Sequence, residues 1–524
     1  MMSKRLAAVE VRFPRSTVPS LCWRMMICLA FWPSGRSAFT SSSSSTVVVP
    51  NIRYRSVRQL SASASPDSPS IAIVGGGASG IFSAIACAEA LEATPRPSNA
   101  PLPQVTVLEA TRKTLSKVQI SGGGRCNVMH DSSKLPRDLL QGYPRGRKEL
   151  SGMLYKRFTP DMCHSWFETR GVELKTEADG RMFPITDSSQ TIINTLMTAA
   201  EEAHVDIQYK QKVESIAKTS EDGPFCITSQ STQDNQKVTQ KSYYDAVIMA
   251  TGSMPIGYKL AQEMGHSIVS TVPSLFTLNA KHEVKEDGFL HGLSGISVPF
   301  AIVSFKPETN TAAPQKKAKP LATQEGPLLV THHGFSGPAV LRLSAFGARE
   351  LHACNYRGTL KVQWAPHWGN TEDIFQDLWQ LTTARPKKQV ANQCPNFLPT
   401  TTTPAISKRL WAALAKRAGF SDTQIWAEAS KKMVRKLAMQ INECEIPITG
   451  KGTFKEEFVT AGGVSTKEID FTSMQSKKTP GLFFCGELID VDGVTGGYNF
   501  MNCWSTGYVA GNSAAEFVAQ MGTE

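Results

Sequence analysis

The sequence predicts an α/β fold with a parallel sheet at its centre, and three stretches carry that prediction. Ile71-Ala72-Ile73-Val74 is an apolar strand that runs straight into Gly75-Gly76-Gly77-Ala78-Ser79-Gly80, after which Ile81, Ala84, Ile85 and Ala88 continue at helical spacing. Val105-Thr106-Val107-Leu108 is a second strand, closed by Glu109. Tyr244 to Met249 is a third, ending in the tight turn Ala250-Thr251-Gly252. A strand, a glycine turn, a helix and another strand form a βαβ unit, whose strands lie parallel.

The first unit carries Gly-x-Gly-x-x-Gly at Gly75, Gly77 and Gly80, and each glycine has its own mechanical reason. Gly75 allows the tight turn, Gly77 lets backbone N–H groups approach a pyrophosphate, and Gly80 lets the helix pack closely on the strand. Ala78 and Ser79 open the helix, so the phosphates would meet its positive end. Glu109 can accept both hydroxyls of an adenosine ribose. The interval from Gly80 to Glu109 exceeds the usual ~20 residues, and the polar, Pro-rich run Thr94 to Gln104 accounts for the excess as a loop.

A chain of 524 residues is too long for one core, so two or three domains are expected. Its 56 Lys+Arg exceed its 45 Asp+Glu, but residues 1–65 hold nine basic residues and only Glu10 as an acid. Without them 47 basic residues face 44 acids, so the overall basicity describes a leader and argues little for nucleic acid or membrane. That leader is rich in Arg and Ser and includes the run Ser41 to Ser45, the composition of an organelle transit peptide. Leu21 to Trp32, interrupted by Arg24, is too short to span a bilayer but long enough for the apolar region of a signal peptide. Plastid and mitochondrial leaders both fit, with a cytoplasmic tail as the alternative; no later segment predicts a membrane span. Outside the leader nine cysteines are scattered without Cys-x-x-Cys, which signals no zinc site, cluster or dithiol and suits a reducing compartment.

A second glycine cluster, Lys117-Val118-Gln119-Ile120-Ser121-Gly122-Gly123-Gly124-Arg125-Cys126-Asn127, is not a phosphate loop of the Gly-Lys-Ser/Thr kind. Three consecutive glycines remove every Cβ over a short arc, which lets bare backbone pass flat against a planar or anionic ligand. Arg125 and Lys117 add positive charge there. Ser121 to Asn127 resembles the signature loop of the BaiN-like flavoproteins, also labelled aminoacetone-oxidase-like. The likeness runs from about Ile71 to the C-terminus, through Gly180-Arg181-Met182-Phe183-Pro184, Thr331 to Ala339, Ala461-Gly462-Gly463-Val464, Gly486 to Gly493 and Gly496-Gly497-Tyr498-Asn499.

The resemblance implies a Rossmann-like FAD-binding domain with a β-rich part and a helical part inserted between its halves. The expected boundaries are a leader at 1–65, the first half of the FAD domain at 66–255, the insertion at 256–454 and the second half at 455–524. It also implies that the Ala250-Thr251-Gly252 turn returns to the first glycine loop. Gly486 and Glu487, at the end of the strand Leu482 to Cys485, are expected at the ribityl and phosphate region, with Asp490 close by. Gly496 and Gly497 would allow close backbone approach, Asn499 would open a helix facing the flavin pyrimidine, and Tyr498 would pack beside the isoalloxazine or within the core. Val213, in the strand Lys212 to Ile216, joins the expected cofactor contacts.

Between these landmarks Thr159-Pro160-Asp161 predicts a helix start with Gly171 as the stop, Asp179-Gly180 a hairpin turn, and Asp187 a cap for Ser188 to Ala203. Val205 to Tyr209 reads as a strand. In the insertion, Thr309 to Gln324 reads as a polar surface loop, and Asn370 to Gln380, Ile406 to Ala418 and Ser421 to Ile441 as helices. His332 and His333 lie in a strand, turn and helix segment, with no third ligand spaced for a metal. The lysine clusters Lys316 to Lys319 and Lys431 to Lys436 read as solvated faces, because no aromatic residues interleave them. The expectation is therefore an FAD oxidoreductase acting on a small-molecule substrate with NADH or NADPH as a transient reductant and no stable nucleic-acid partner. No general acid or base and no oligomeric state is implied. A tRNA-modifying flavoprotein and a protein that holds flavin without turnover are the alternatives.

Overall fold

In the strand β1 (Ser70–Val74), Ile71, Ala72 and Ile73 are fully buried, which fits an uninterrupted apolar run covered on both faces. Each buried isoleucine contributes roughly 1.5–3 kcal/mol. The computed structural model describes residues 68–95, 103–233, 236–308, 321, 323–394, 406–452 and 459–521. The leader and Lys316 to Lys319 lie outside the described residues, as do most of the expected loops Thr94–Gln104 and Thr309–Gln324.

β1 pairs in parallel with β2 (Gln104–Glu109) on one side and with the strand Ala246–Met249 on the other. Leu482–Phe484 and Asp206–Tyr209 extend the parallel set outward, and Gln475–Ser476 with Ile469–Asp470 add an antiparallel edge. Helix α1 (Ala78–Ala93) covers β1 and lies against the C-terminal helix Tyr498–Met521. Small residues set that approach: a Cβ on Gly511 would stand 2.3 Å from Ser83 O, and one on Gly507 2.9 Å from Ser79 O.

In a second sheet, of seven antiparallel strands among the described residues, the long strand Ser297–Pro307 lies between Gly358–Gln363 and Gln324–Val330. Beside it stand three helices, each started by a side-chain cap. Asn370 and Asp373 form a capping box on Thr371–Ala384, Ser407 caps Lys408–Ala418, and Ser430 caps Lys431–Asn442. The apolar side chains form two main cores, one built from 71–275 and 459–518 with Ala345, the other from 276–448. The first core thus runs to Leu275, and the second begins at Phe276. Helix Pro255–Glu263 packs in the first core, and the strand Ile268–Ser274 pairs with Val459–Val464 across the insertion.

Local expectations divide in the same way. Thr159 caps Pro160–Glu168 through Met162 N–H (3.2 Å), and Glu177 to Gly180 turns between the strands Leu174–Thr176 and Arg181–Pro184. Asp187 is not the cap of the next helix. Ser188 accepts from Gln190 N–H (3.3 Å), while Asp187, at a φ of 51°, turns its carboxylate to Lys175 and Arg125. The helix expected over Ser421–Ile441 begins only at Lys431, because the Ser430 hydroxyl caps it and the preceding segment pairs with Pro386–Val390.

Candidate functional site

The first glycine turn divides its labour among its glycines. Gly75, at a φ of 108°, donates its N–H to Leu108 O (3.0 Å), and a Cβ there would stand 2.7 Å from Ala250 O. A Cβ on Gly80 would meet Gly75 O at 1.9 Å, so only glycine lets α1 sit this close to the turn. At Gly77 a Cβ would meet nothing within 4 Å. Gly77 is the N-cap of α1, no side chain caps it, and the helix is entered through Ala78 and Ser79 with the first bond from Ile81 N–H to Gly77 O (3.0 Å). The start of α1 therefore has an open flank and a positive dipole end. Glu109 braces the turn from the end of β2: its carboxylate accepts from Gly76 N–H (2.8 Å) and Thr111 N–H (2.7 Å). Gln211 N–H reaches Glu109 O (2.9 Å), which places Val213 two residues further along beside the end of β2.

The second cluster is built into α2 (Ser116–Gly124), whose helical turn ends at Ser121, where ψ is 147°. Gly122, Gly123 and Gly124 follow at φ of 56°, 71° and 86°, a left-handed run that side chains would strain by roughly 1–2 kcal/mol per residue. Cβ atoms on Gly123 and Gly124 would enter open space, whereas one on Gly122 would meet Phe183 and Asn127 at 3.1 Å. The loop thus backs onto the protein through Gly122 and presents bare backbone at the next two residues.

Its flanking side chains take separate tasks. The Arg125 guanidinium lies over the Phe183 ring (3.9 Å) and pairs with Glu177 (2.6 Å) and Asp187 (2.6 Å), so two carboxylates balance its charge. Cys126 is fully buried, and burial pushes its thiol up to about 12 against the pull of the Ser121 hydroxyl. It packs and is no thiolate. Asn127, with its amide nitrogen facing Met129 O (3.2 Å), accepts from Gly497 N–H (3.0 Å) and ties the loop to the C-terminal glycines.

Three distant segments meet at Glu487. Lys117 Nζ donates to Glu487 Oε2 (2.8 Å) and to Ser253 Oγ (3.1 Å), and Thr460 N–H donates to Glu487 Oε1 (3.1 Å). A Cβ on Gly252, next to Thr251 in the turn, would stand 3.8 Å from Glu487 Oε2. Gly486, at a φ of 71°, lies on Ser79, where a Cβ would come within 2.2 Å of the hydroxyl. The fold therefore joins the start of α1, the Ala250-Thr251-Gly252 turn, α2 and the strand-end acid.

The remaining residues sit deeper. Gly496 O accepts from His130 Nδ1 (2.9 Å), and a Cβ on Gly497 would collide with Met129 at 2.2 Å. Tyr498 is only 8% exposed, stacked on His130 (4.6 Å) and edge-on to Tyr143 (5.6 Å); burial pushes its phenol up to about 12. Asn499 closes a turn by exchanging hydrogen bonds with Gly493 N–H (2.8 Å) and Gly493 O (2.9 Å). Asp490 pairs with Arg349 (3.2 Å) of the second core's helices. Sequence reasoning missed Ser253, Tyr258, His130 and the buried Arg145–Asp492 pair, whose Arg145 also donates to Ala345 O (2.9 Å). None of these carries a local motif, and Arg145 lies 347 positions from its partner.

The open glycines suit a large, flat, phosphate-bearing ligand. Thr251 Oγ1 and Tyr258 Oη are buried without a partner among the described residues, and beside the site Ile120 is 61% and Met254 58% exposed. A protein surface that leaves isoleucine and methionine bare beside uncapped backbone donors fits a dinucleotide with an apolar ring system.

The family model described as the HI0933-like protein Rossmann domain matches residues 69–513. The chain belongs to that family. As an HI0933-like protein it has the Rossmann fold of FAD-binding flavoenzymes of the oxidoreductase class. It is 28% identical over 457 residues to the 3-dehydro-bile acid delta(4,6)-reductase of Clostridium scindens, covering 85% of this chain and 99% of that protein. It is 27% identical over 438 residues to the ribosomal RNA dihydrouridine synthase of Haemophilus influenzae, covering 83% and 96%. Among solved structures it is similar to a 3-ketosteroid delta1-dehydrogenase from Sterolibacterium denitrificans, with TM-score 0.43 and 12% identity over 86% of this chain and 100% of that one.

Proposed function

We propose that this HI0933-like protein is an FAD-dependent reductase that takes hydride from NADH or NADPH and saturates a carbon–carbon double bond in a ring. The observation that carries the reading is the convergence of uncapped α1, the bare Gly123–Gly124 backbone and the Lys117–Glu487 pair at one open surface. The two relatives described above bear names that describe saturation of a ring double bond, which supports the choice of substrate bond. Bound there, FAD would supply hydride chemistry.

The protein's own part is holding and orientation. The N–H groups at the start of α1 would take the diphosphate, and Glu109 the adenosine ribose. Glu487, held between Lys117 and Thr460, has both oxygens oriented before any ligand arrives. Gly123 and Gly124 leave the approach free of side chains. A second reading, in which the double bond belongs to a uridine of an RNA, is favoured by the charge of the insertion. The Arg- and Ser-rich leader supports delivery to a plastid or mitochondrion; a reporter fused to residues 1–65 should enter an organelle, and diffuse cytosolic fluorescence would refute this.

The decisive experiment is the visible spectrum of the purified protein before and after anaerobic NADH or NADPH. A flavin spectrum that bleaches with either nucleotide, with FAD and not FMN recovered on release, is the expected result. Recovery of FMN, or failure to take up any flavin, would refute the cofactor assignment. A bound FAD that neither nucleotide bleaches would favour a flavin-holding protein without turnover.

A further inference from the structure

We infer that the helical part of the insertion is an RNA-docking surface centred on Lys387, Lys388, Lys431, Lys432 and Trp379. The inference rests on the RNA reading of the substrate given above. Charge is the first ground. Residues 366–443 hold eleven Lys+Arg against six Asp+Glu, while the rest of the chain from residue 66 holds 36 against 38. Eleven against six leave this part with an excess of five positive charges.

The fold then joins what the sequence keeps apart. Trp426 N–H donates to Lys388 O (3.0 Å) and Ala427 N–H to Pro386 O (3.0 Å), which brings the exposed Lys387 and Lys388 beside the segment that leads into Lys431 and Lys432. Lys431 Nζ stands 5.6 Å from the centre of the half-buried Trp379 ring, and Trp379 stacks on Phe375. Aromatic groups absent from the lysine run in sequence are thus supplied from the neighbouring helix, and cations beside an aromatic ring suit a phosphate chain whose bases can stack.

Ion pairing gives no reason for this placement. The four lysines enter no ion pair among the described residues. Lys431 and Lys432 occupy the positive end of their helix, whose first turn has no acid and whose last turn has no base, the reverse of what the helix dipole favours. Phosphates along this ledge would neutralise a charge that the protein itself leaves unbalanced. Two other cations of these helices are paired, Arg435 with Glu372 (2.7 Å) and Arg417 with Glu283 (3.3 Å).

The test is fluorescence anisotropy of a short uridine-containing RNA hairpin titrated with the full chain at several potassium chloride concentrations. In the wild type the logarithm of the affinity should fall steeply with the logarithm of the salt concentration. Charge reversal of all four lysines to glutamate should weaken binding at least about tenfold at low salt. It should also flatten the salt slope by about 0.7–0.9 for each phosphate that is no longer neutralised. The milder Lys387→Ala/Lys388→Ala pair, exposed on the surface, should show about half of that change in slope if the larger variant does not fold. FAD content and NADPH consumption should not change in either. Unaltered RNA binding in the variants, or a wild type that keeps FAD but retains no RNA, would overturn this inference while leaving the flavin reading intact. Retention on anionic phosphatidylserine vesicles with none on RNA would also overturn it. Loss of FAD from the wild type refutes the flavin reading instead.

Discussion

Replacing Gly77 with aspartate should separate cofactor binding from folding, because the two effects have opposite signs at that position. Gly77 has φ −80° and ψ −170°, an extended conformation open to any residue, and its Cβ would meet nothing within 4 Å. It is also the uncapped N-cap of α1, where aspartate gains a few tenths of a kcal/mol over glycine and a further ~0.3–1 kcal/mol from the dipole. Gly77→Asp should therefore fold at least as well as the wild type. A diphosphate at the same helix end would face the new carboxylate, and two like charges about 4 Å apart cost about 4 kcal/mol at an effective dielectric of 20. Allowing for screening, the FAD dissociation constant should rise by about a hundredfold or more. Titration of the apoprotein by flavin fluorescence measures that constant, and thermal unfolding followed by circular dichroism measures the fold. As a contrast, Gly80→Ala would press a Cβ onto Gly75 O at 1.9 Å and should lower the melting temperature before any ligand is added. If Gly77→Asp binds FAD within threefold of the wild type, the phosphates do not lie at the start of α1 and the reasoning fails.

Gly123→Val should keep helical content but weaken FAD at least about tenfold, since its side chain strains a φ of 71° by roughly 1–2 kcal/mol and projects into the open face; equal affinity by the same titration would make the loop a surface excursion. Cys126→Ser should retain NADPH-driven flavin reduction within about threefold, because the thiol is buried and pushed up to about 12; a loss of two orders of magnitude in stopped-flow traces would mean the sulfur reacts. Burial alone would raise Glu468, but Lys478 and Ser267 hold it down to about 2, below its ordinary 4.5. The stability it contributes is thus fully present above about pH 4.5 and lost as pH falls toward 2. Urea unfolding at pH 7 and pH 3 should show a smaller acid loss for Glu468→Gln than for the wild type, and equal losses would contradict that assignment.

What the sequence by itself determined is local. The apolar run Ile71 to Val74, the glycine spacing of 75, 77 and 80 and the closing Glu109 were enough to predict strand, turn, helix and strand, because each depends on neighbours a few residues away. The left-handed run at Gly122 to Gly124 is legible for the same reason, since only glycine enters that conformation without strain. Tertiary structure decided where charges point. Arg125 reads as a fixed charge for a ligand, yet Glu177 and Asp187, 52 and 62 residues away, neutralise it, and Asp187 gives up the cap position to Ser188 in doing so. Lys117 and Glu487 are separated by 370 residues and meet only because parallel strands end at the same edge of one sheet. Lys431, in a run with no aromatic residue of its own, stands 5.6 Å from the Trp379 ring of another helix. Periodicity records which side of an element faces the core, whereas an ion pair or a stacked ring depends on which two elements the packing of both cores brings together.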